Sequence, residues 1–247
     1  MDELNAILQR LRREHPHKSE PEYKCPKCKD SKFLCRIIDG HEVYRMCDCY
    51  AIRRGREVME RSGISAEFQK KTFSNFDPKG NEQLASAKRK AIRYADDFEK
   101  MEHDRRNSIM LSGQVGAGKT HLGTAICGEL INRGVEVSYM AYRNAVTKIK
   151  QNIINEEGYG RELSRYATAR VLYIDDMLKG RLTEADVNIM YEIINYRYMN
   201  NMPIIISTEK SANDLLVFDE AIGSRIIEMC RGNIVQLQGK ELNYRLT

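Results

Sequence analysis

The sequence predicts an α/β fold in which helices cover a parallel sheet, with a small cysteine-rich module in front of it. From residue 81 onward, short apolar segments of strand character alternate with longer segments of helical periodicity, the order of a parallel sheet covered on both faces. A glycine-rich loop at residues 113–120 separates the first of these strands from the helix that follows it. Five of the seven cysteines lie within residues 25–49. We therefore expect one unit held by an apolar core and a smaller one held by its cysteines.

Length and composition agree with a globular chain of two units. The 247 residues exceed the usual domain size of about 100 to 200 residues. Hydrophobic residues make up 42% of the chain and charged residues 30%, and no apolar run approaches the roughly 18 residues that a membrane helix needs. The N-terminus, Met1-Asp2-Glu3-Leu4, lacks the basic and then apolar order of a secretory signal, so we expect a cytoplasmic protein without membrane contact. The formal net charge of +5 permits nucleic-acid binding but does not require it.

Residues 1–62 are predicted to form an N-terminal helix followed by the cysteine-rich module. Leucine and isoleucine side chains recur at helical spacing over residues 3–14, and Pro16 ends the pattern. This apolar stripe either packs on its own protein or docks a partner. Residues 33–38 have strand character within the module, and residues 63–80 form a linker to the core.

Residues 81–247 form the predicted core. Gly134 has the position of a helix C-cap, and Thr183 can cap the helix that it precedes together with Asp186. The expected elements, in order, are helix 81–101, strand 109–111, helix 119–132, strand 135–140, helix 143–155, a loop through Gly158 and Gly160, strand 171–174, a helix from Thr183 onward, strand 204–206, helix 221–230 and strand 234–237.

The loop at residues 113–120 has the strand–loop–helix setting of a phosphate-binding loop. A polyphosphate needs several donors that approach without side chains in the way, and glycines allow backbone N–H groups to do so. Lys119 would reach the terminal phosphates of ATP, and the Thr120 hydroxyl would bind magnesium. The residues expected to contact the nucleotide here are Gly113, Gln114, Val115, Gly116, Ala117, Gly118, Lys119, Thr120 and His121.

A pair of aspartates follows the apolar strand predicted at residues 171–174. Asp175 would hold the hydrated magnesium beside Thr120, and Asp176 would orient and deprotonate the water that attacks ATP. Many related motors place a glutamate at the second position, and aspartate is one methylene shorter, so we expect slow hydrolysis. The alternative is a strand that simply ends in solvated aspartates.

Two further positions are candidates for a role in hydrolysis. The strand at residues 204–206 ends in Ser207-Thr208, short hydroxyl residues where a polar sensor of the terminal phosphate could sit, with Thr208 as the candidate, although serine and threonine also commonly end strands. Gly223-Ser224-Arg225 offers an arginine, Arg225, that could act on the nucleotide of a neighbouring subunit. The alternative for this arginine is an ordinary surface ion pair.

Two close cysteine pairs, separated by 18 residues, predict a zinc ribbon. In a reducing compartment this spacing favours a metal over disulfides, because four thiolates can hold together a segment that is too small to fold by burial. Cys35 and His41 lie in the insert and could replace a ligand; the other possibility is that no metal binds. The expected zinc ligands are Cys25, Cys28, Cys47 and Cys49.

The order of these motifs, together with Thr72-Phe73-Ser74-Asn75-Phe76 before the core, resembles the DnaC/DnaI helicase loaders of bacteria and phages over most of the chain. The resemblance implies an AAA+ ATPase core that self-associates on ATP binding, with Arg225 reaching the adjacent ATP and with Phe73 and Phe76 bordering the adenine. It also implies docking of a hexameric replicative DNA helicase through residues 1–62 and contact of the core with single-stranded DNA. The chain would then deliver the helicase onto DNA when replication begins.

Three other functions stay open from the sequence. A helper ATPase of transposition shares the core motifs but usually lacks the cysteine module. A small-molecule P-loop kinase would need an arginine-rich lid and an acceptor pocket after Asp176, and neither is evident. A nucleotide-switched adaptor would keep ATP binding and make hydrolysis incidental.

Overall fold

The computed structural model describes residues 23–61, 63–65, 67, 70–239 and 242–244. The chain divides into two compact units, Met1–Tyr50 and Ala51–Thr247. The helix predicted at residues 3–14 lies outside the described residues. Within the part of the chain that the structure describes, no helix combines the length and the apolar character needed to cross a bilayer.

The first unit is built on a β-hairpin. Strand β1, Phe33–Ile38, pairs antiparallel with strand β2, His41–Met46, which confirms the strand predicted at residues 33–38. Asp39 and Gly40 form the two-residue turn, and both have the positive φ that such turns require. Because nearly all side chains of the hairpin are exposed, the burial of apolar surface contributes little to its stability.

The second unit contains a five-stranded parallel sheet, which confirms the predicted fold class. Its strands are β3 (Ile109–Gly113), β4 (Val137–Ala141), β5 (Val171–Met177), β6 (Ile204–Thr208) and β7 (Ile234–Leu237). They are arranged in the order β4-β5-β6-β3-β7, and all neighbours run parallel. Most of their side chains are buried, as expected for strands that are covered on both faces.

Helices cover the two faces of this sheet. On one face, side chains such as Phe98 of α2 pack in a cluster with Leu111 of β3. On the other, side chains such as Ile193 of α6 pack in a second cluster with Met110, the neighbour of Leu111 along the strand. The helices are α1 (Asp48–Arg61), α2 (Glu82–Met101), α3 (Lys119–Asn132), α4 (Tyr142–Gln151), α5 (Glu156–Ala167), α6 (Glu184–Met199), α7 (Ala212–Phe218) and α8 (Glu220–Met229).

Two predicted capping signals are present. The backbone N–H of Thr183 donates to the Asp186 carboxylate at 2.7 Å, which closes the capping box at the start of α6. Gly134 follows the end of α3 with a positive φ of 80°, and its N–H donates to the carbonyl of Ile131 at 2.9 Å. These local signals fix where α6 begins and where α3 ends.

The helical elements between β4 and β5 differ from the prediction. The helix predicted to reach residue 155 ends at Gln151, and the loop predicted through Gly158 and Gly160 is helix α5. Each glycine in a helix costs about 1 kcal/mol relative to alanine, and this cost led us to expect a loop. The Asn155 side chain caps α5, and α5 packs through partly buried apolar side chains on the cluster around α6, so tertiary packing overrides the propensity.

Helix α7 was not predicted from the sequence. It begins with a capping box in which the hydroxyl of Ser211 accepts from the backbone N–H of Asp214 at 3.1 Å. The helix has only 7 residues, which is too short for a clear apolar period.

Candidate functional site

A cleft of about 580 Å³ lies at the carboxyl ends of the central strands of the second unit. Ligands of parallel sheets bind at this edge, and the volume lies within the range of about 300 to 1,000 Å³ that is usual for small-molecule sites. The residues lining it include Phe76, Val115, Gly116, Ala117, Gly118, Lys119, Thr120, His121, Asp176, Lys179, Glu209 and Tyr244. The structure therefore brings most of the predicted nucleotide-contacting residues together.

The glycine-rich loop connects β3 to the N-terminus of α3. Gly118 has a φ of 81°, and a Cβ atom there would lie 2.7 Å from a ring carbon of Phe76. A Cβ atom at Gly116 would collide with the Asn243 side chain. Only glycine meets both requirements, and the loop leads into the N-terminus of α3 at the cleft, where the positive end of the helix dipole favours an anion.

Lys119 is the first residue of α3 and is almost fully buried. Its ammonium donates to the carbonyl oxygens of Gly113 at 2.8 Å and Gln114 at 2.6 Å. Burial lowers the pKa of Lys119, while the negative charges of Glu209 and Asp176 oppose that shift. The ammonium is thus held at the loop, near the acidic residues at the carboxyl ends of β5 and β6.

The Asp175 carboxylate lies next to the Thr120 hydroxyl, as predicted. The residue is 8% exposed, and its Oδ1 accepts from Thr120 Oγ1 at 3.0 Å and also from the Ser207 hydroxyl. A hydroxyl and a carboxylate within hydrogen-bond distance are the hard oxygen ligands that Mg²⁺ prefers. These two side chains therefore fit a magnesium site.

Asp176 lines the cleft and is half-buried. Its backbone has a φ of 54°, and its N–H donates to Ser207 Oγ at 2.9 Å. Its carboxylate accepts from Lys179 at 2.7 Å, and this lysine also lies 3.4 Å from Glu209. The hydrogen bond from Lys179 to Asp176 raises the pKa of the lysine. Lys179 and Glu209 had not been predicted as site residues, since neither belongs to a motif.

Ser207 and Thr208 point in different directions at the end of β6. The Ser207 hydroxyl contacts Asp175 and Asp176, as described above. The Thr208 hydroxyl, which was the candidate sensor, is buried and donates to the Met177 carbonyl at 2.8 Å. The structure thus brings Ser207, and not Thr208, to the acidic pair.

The segment before the core closes one side of the cleft. His121 Nε2 lies 2.9 Å from both the Thr72 carbonyl oxygen and Asn75 Oδ1, and because both are acceptors this nitrogen carries the proton. The Phe76 ring packs edge-on against His121, with ring centroids 5.1 Å apart. Phe76 lines the cleft, whereas Phe73 is buried in the apolar cluster that contains Phe98 and Leu111.

Tyr244 completes this wall, although sequence reasoning did not identify it. Its N–H donates to the Gly116 carbonyl at 3.1 Å, its hydroxyl donates to the Asp77 carbonyl, and its ring lies 6.0 Å from Phe76. Lys79 Nζ lies 5.0 Å from the Tyr244 ring centroid. No local motif marks Tyr244, because its contacts depend on the last described residues returning to the glycine-rich loop.

Arg225 lies on α8 and does not line the cleft of its own chain. Its guanidinium is 5.5 Å and 5.4 Å from the ring centroids of Tyr191 and Tyr198 of α6. Its Nη1 donates to the Ala221 carbonyl at 2.7 Å. The arginine is therefore held by aromatic faces, away from the nucleotide cleft of the same chain.

In the first unit, four thiols converge. The Sγ atoms of Cys25, Cys28, Cys47 and Cys49 all lie within 4.8 Å of one another, with 3.8 Å between Cys25 and Cys47 and 3.4 Å between Cys28 and Cys49. Tetrahedral zinc with Zn–S bonds of about 2.3 Å requires S···S separations of about 3.8 Å, so the four thiols fit zinc. A backbone hydrogen bond at Cys28 contributes most to lowering the pKa of Cys25 to about 7, whereas burial and hydrogen bonds with the neighbouring thiols raise the pKa of Cys49.

The two alternative ligands lie outside this cluster. Cys35 is exposed on β1 and His41 is exposed on β2, and neither belongs to the group of converging thiols. The two remaining cysteines, Cys127 and Cys230, are fully buried among apolar side chains.

Residues 46–246 match the family model described as IstB-like ATP binding protein. The chain is 36% identical to the phage-like element PBSX protein XkdC of Bacillus subtilis (strain 168), over 100% of this chain and 95% of that protein. It is 23% identical to the replicative helicase loader DnaC of Escherichia coli (strain K12), over 94% of this chain and 91% of that one. An ATP-binding protein of an insertion sequence in Mycobacterium tuberculosis is 26% identical over 66% of this chain and 62% of its own length.

A solved structure shares the fold of this chain. The crystal structure of the DnaC helicase loader matches it with a TM-score of 0.62 at 21% identity, over 70% of this chain and 99% of that one. At 21% identity, this similarity shows a shared fold alone.

Proposed function

The chain belongs to the IstB-like ATP-binding protein family, with an AAA+ core, and on that premise we propose that it is an ATP-dependent helicase loader. In this proposal it binds a replicative hexameric helicase and delivers it onto single-stranded DNA in the cytoplasm when replication begins. The observation that carries the proposal is the extent of the match to the loader DnaC, which runs over 94% of this chain. That span includes residues of both units, whereas the insertion-sequence protein matches over 66%.

The chemistry proposed for the cleft is the hydrolysis of ATP. Lys119 and the N–H groups of the loop would bind the phosphates, and Thr120 with Asp175 would hold Mg²⁺. Magnesium, when bound, would neutralise charge on the phosphates. Asp176 would orient the attacking water and accept its proton, and Ser207 would orient both aspartates through its hydroxyl.

The ion pair between Asp176 and Lys179 supports slow turnover. The carboxylate accepts from the Lys179 ammonium through Oδ2 at 2.7 Å, so the attacking water competes with this lysine for that oxygen. It is also one methylene shorter than glutamate, so it reaches less far from β5. Both features would lengthen the approach of the general base to the water, which is why we keep the proposal of slow hydrolysis.

The first unit is proposed to bind zinc through its four cysteines and to dock the helicase. Residues that alternate along paired strands share a face, and one face of the hairpin carries Phe33, Ile37, Tyr44 and Met46. These side chains are 50%, 75%, 63% and 55% exposed. Such a concentration of exposed apolar side chains is typical of an interaction surface and supports the docking role.

A loading assay tests the proposal. The protein is mixed with candidate replicative hexameric helicases, ATP and circular single-stranded DNA, and the mass of the complexes and the helicase left on the DNA are measured. We expect an ATP-dependent complex and transfer of helicase to the circle. Lys119→Ala should abolish transfer because it removes the ammonium from the phosphate loop. If no helicase binds the protein, or if Lys119→Ala loads as well as the natural chain, the proposal is wrong; normal loading by this variant would favour a nucleotide-independent adaptor.

A second candidate function is that of a helper ATPase in transposition, favoured by the similarity to an insertion-sequence protein. Stimulation of ATP hydrolysis by a transposase, with none by a helicase, would support it. Membership of an AAA+ family does not favour the small-molecule kinase, whose turnover would respond to a small acceptor instead.

A further inference from the structure

Two tyrosine hydroxyls donate to the carboxylate of Asp175 from beneath the site. The Tyr173 hydroxyl donates to Oδ1 at 2.8 Å, and the Tyr139 hydroxyl donates to Oδ2 at 3.0 Å. With Thr120 and Ser207, four hydroxyl groups surround this one carboxylate. Among the described contacts of Asp175, the bond from Tyr139 is the one that holds Oδ2.

The parallel sheet brings these tyrosines together. Tyr139 of β4 is the register partner of Tyr173 of β5, and their rings pack edge to face with centroids 5.5 Å apart. Tyr173 precedes Asp175 by two residues, so both side chains extend from the same face of β5. The hydroxyl of Tyr173 can therefore return along the strand to the carboxylate.

A glycine of the adjacent helix leaves room for this hydroxyl. Gly123 lies on α3, one turn after Thr120, and a Cβ atom there would be 2.5 Å from the Tyr173 hydroxyl oxygen. A Cβ atom at this position would therefore displace the hydroxyl end of the Tyr173 side chain. Gly123 and Tyr173 thus serve the contact with Oδ1, and Tyr139 makes the contact with Oδ2.

Both hydroxyls remain donors. Burial raises the pKa of Tyr173 well above its ordinary value of 10.0. Burial, and then the charge of Asp175, also raises the pKa of Tyr139. Each hydroxyl lies within 3.0 Å of a carboxylate oxygen, which can only accept, so the phenol is the donor in both hydrogen bonds.

We propose that Tyr139 and Tyr173 are positioning residues that fix the carboxylate of Asp175 for magnesium. The inference rests on the proposed function, since it concerns the metal that accompanies ATP. Thr120, Ser207 and Tyr173 all donate to Oδ1, whereas Tyr139 donates to Oδ2. The two tyrosines together hold both oxygens and so keep the carboxylate from rotating. Side chains that hold a metal ligand from behind commonly change metal affinity by about 10-fold to 100-fold when they are removed.

The test uses Tyr139→Phe and Tyr173→Phe, which remove one oxygen atom each and keep the rings. Tyr142→Phe is the matched control, because Tyr142 is also buried and its hydroxyl has no hydrogen-bond partner within the described residues. The readout is the equilibrium binding of a fluorescent, non-hydrolysable ATP analogue at increasing Mg²⁺, together with Mn²⁺ binding measured by electron paramagnetic resonance. Circular dichroism and thermal unfolding establish that each variant is folded.

We expect both variants to need about 10-fold more Mg²⁺ for half-maximal binding, with unchanged affinity for the analogue in the absence of metal. Tyr142→Phe should match the natural chain. The inference is overturned if both folded variants respond to Mg²⁺ normally, or if the control shifts as far as they do. Should Tyr173→Phe fail to fold, Tyr139→Phe, whose hydroxyl holds the other carboxylate oxygen, decides the question alone. If the natural chain binds no analogue at any Mg²⁺ concentration, the proposed function fails and this inference fails with it.

Discussion

Two glycines, one in the phosphate-binding loop and one in α3, show that the surroundings of a residue decide the effect of a substitution. Gly118 has a positive φ and lies against the Phe76 ring, whereas Gly128 is in the middle of α3 with open space where a Cβ would be. The same substitution should therefore have opposite effects at the two positions.

Gly118→Ala should weaken ATP binding at least about 10-fold and destabilise the protein by about 1 kcal/mol or more, because alanine is strained at this φ and displaces Phe76. Gly128→Ala should leave binding unchanged and stabilise the protein by up to about 1 kcal/mol. Calorimetric titration with ATP and thermal unfolding measure both. Equal effects of the two substitutions would contradict the geometry described for the loop.

At the scale of elements, one ion pair ties the end of α2 to the start of β5. Glu102 follows α2 directly, and its carboxylate accepts from Arg170 at 2.6 Å and 2.9 Å, immediately before Val171. The hydrogen bonds from Arg170 lower the pKa of Glu102 from its ordinary value of 4.5. Since the folded pKa is below the unfolded one, the stabilisation is fully present above pH 4.5 and is lost as the pH falls through the folded value.

Glu102→Gln should lower the free energy of unfolding at pH 7 by about 1 kcal/mol, and the difference from the natural chain should disappear in acid. Urea unfolding at pH 7 and pH 3 measures this. Glu136→Gln is the control, because the pair between Arg54 and Glu136 is 3.3 Å long with side chains 60% and 40% exposed, and we expect a change below about 0.5 kcal/mol. A larger loss of unfolding free energy in Glu136→Gln than in Glu102→Gln would contradict the stabilising role of the pair between Glu102 and Arg170.

A buried arginine also connects elements of the second unit, on the face of the sheet that α6 covers. Arg197 of α6 is fully buried and donates to the carbonyls of Tyr166, Ala167 and Ala169, at the end of α5 and before β5. It also donates to the carbonyl of Pro203, just before β6. One side chain thus donates to carbonyls at the end of a helix and before the starts of two strands, and the Pro203 carbonyl also accepts from the N–H of Leu172.

At the scale of the whole molecule, the two units depend on different forces. The second has a large apolar core, whereas among the described residues of the first the buried side chains are those of Cys25, Cys28 and Cys47. A small unit of this kind is expected to depend on the zinc that we propose for it. Loss of that zinc should therefore affect one unit and leave the other intact.

Cys28→Ser should abolish zinc binding and helicase binding while the affinity for ATP stays within about twofold, because the nucleotide cleft is built from the second unit alone. Elemental analysis, helicase pull-down and ATP titration of the full chain measure the three quantities. Cys35→Ser serves as the control, since Cys35 is exposed on β1 outside the four-thiol cluster. Retention of zinc by Cys28→Ser, or loss of it in Cys35→Ser, would show that the ligand set is wrong.

The fold could be predicted largely because its signals are local. The capping box at Thr183 lies within one helical turn of the chain. The strands β5 and β6 could be recognised as continuous apolar runs, because both faces of the sheet are covered. Helix α5 could not be predicted, since its two glycines argue against a helix and only its packing on the α6 side outweighs them.

The sequence by itself determined the glycine-rich loop with Lys119, the acidic pair and the two close cysteine pairs, because each depends on residues that lie within a few positions of one another along the chain. Only the tertiary structure decided that Ser207, and not Thr208, reaches Asp175, that Tyr139 supports this carboxylate, and that Tyr244 returns to Gly116. Neighbouring residues of a strand project to opposite faces, so the register of β4, β5 and β6 selects which hydroxyl meets the Asp175 carboxylate. That register is a property of the assembled sheet, in which distant segments are brought within hydrogen-bonding distance.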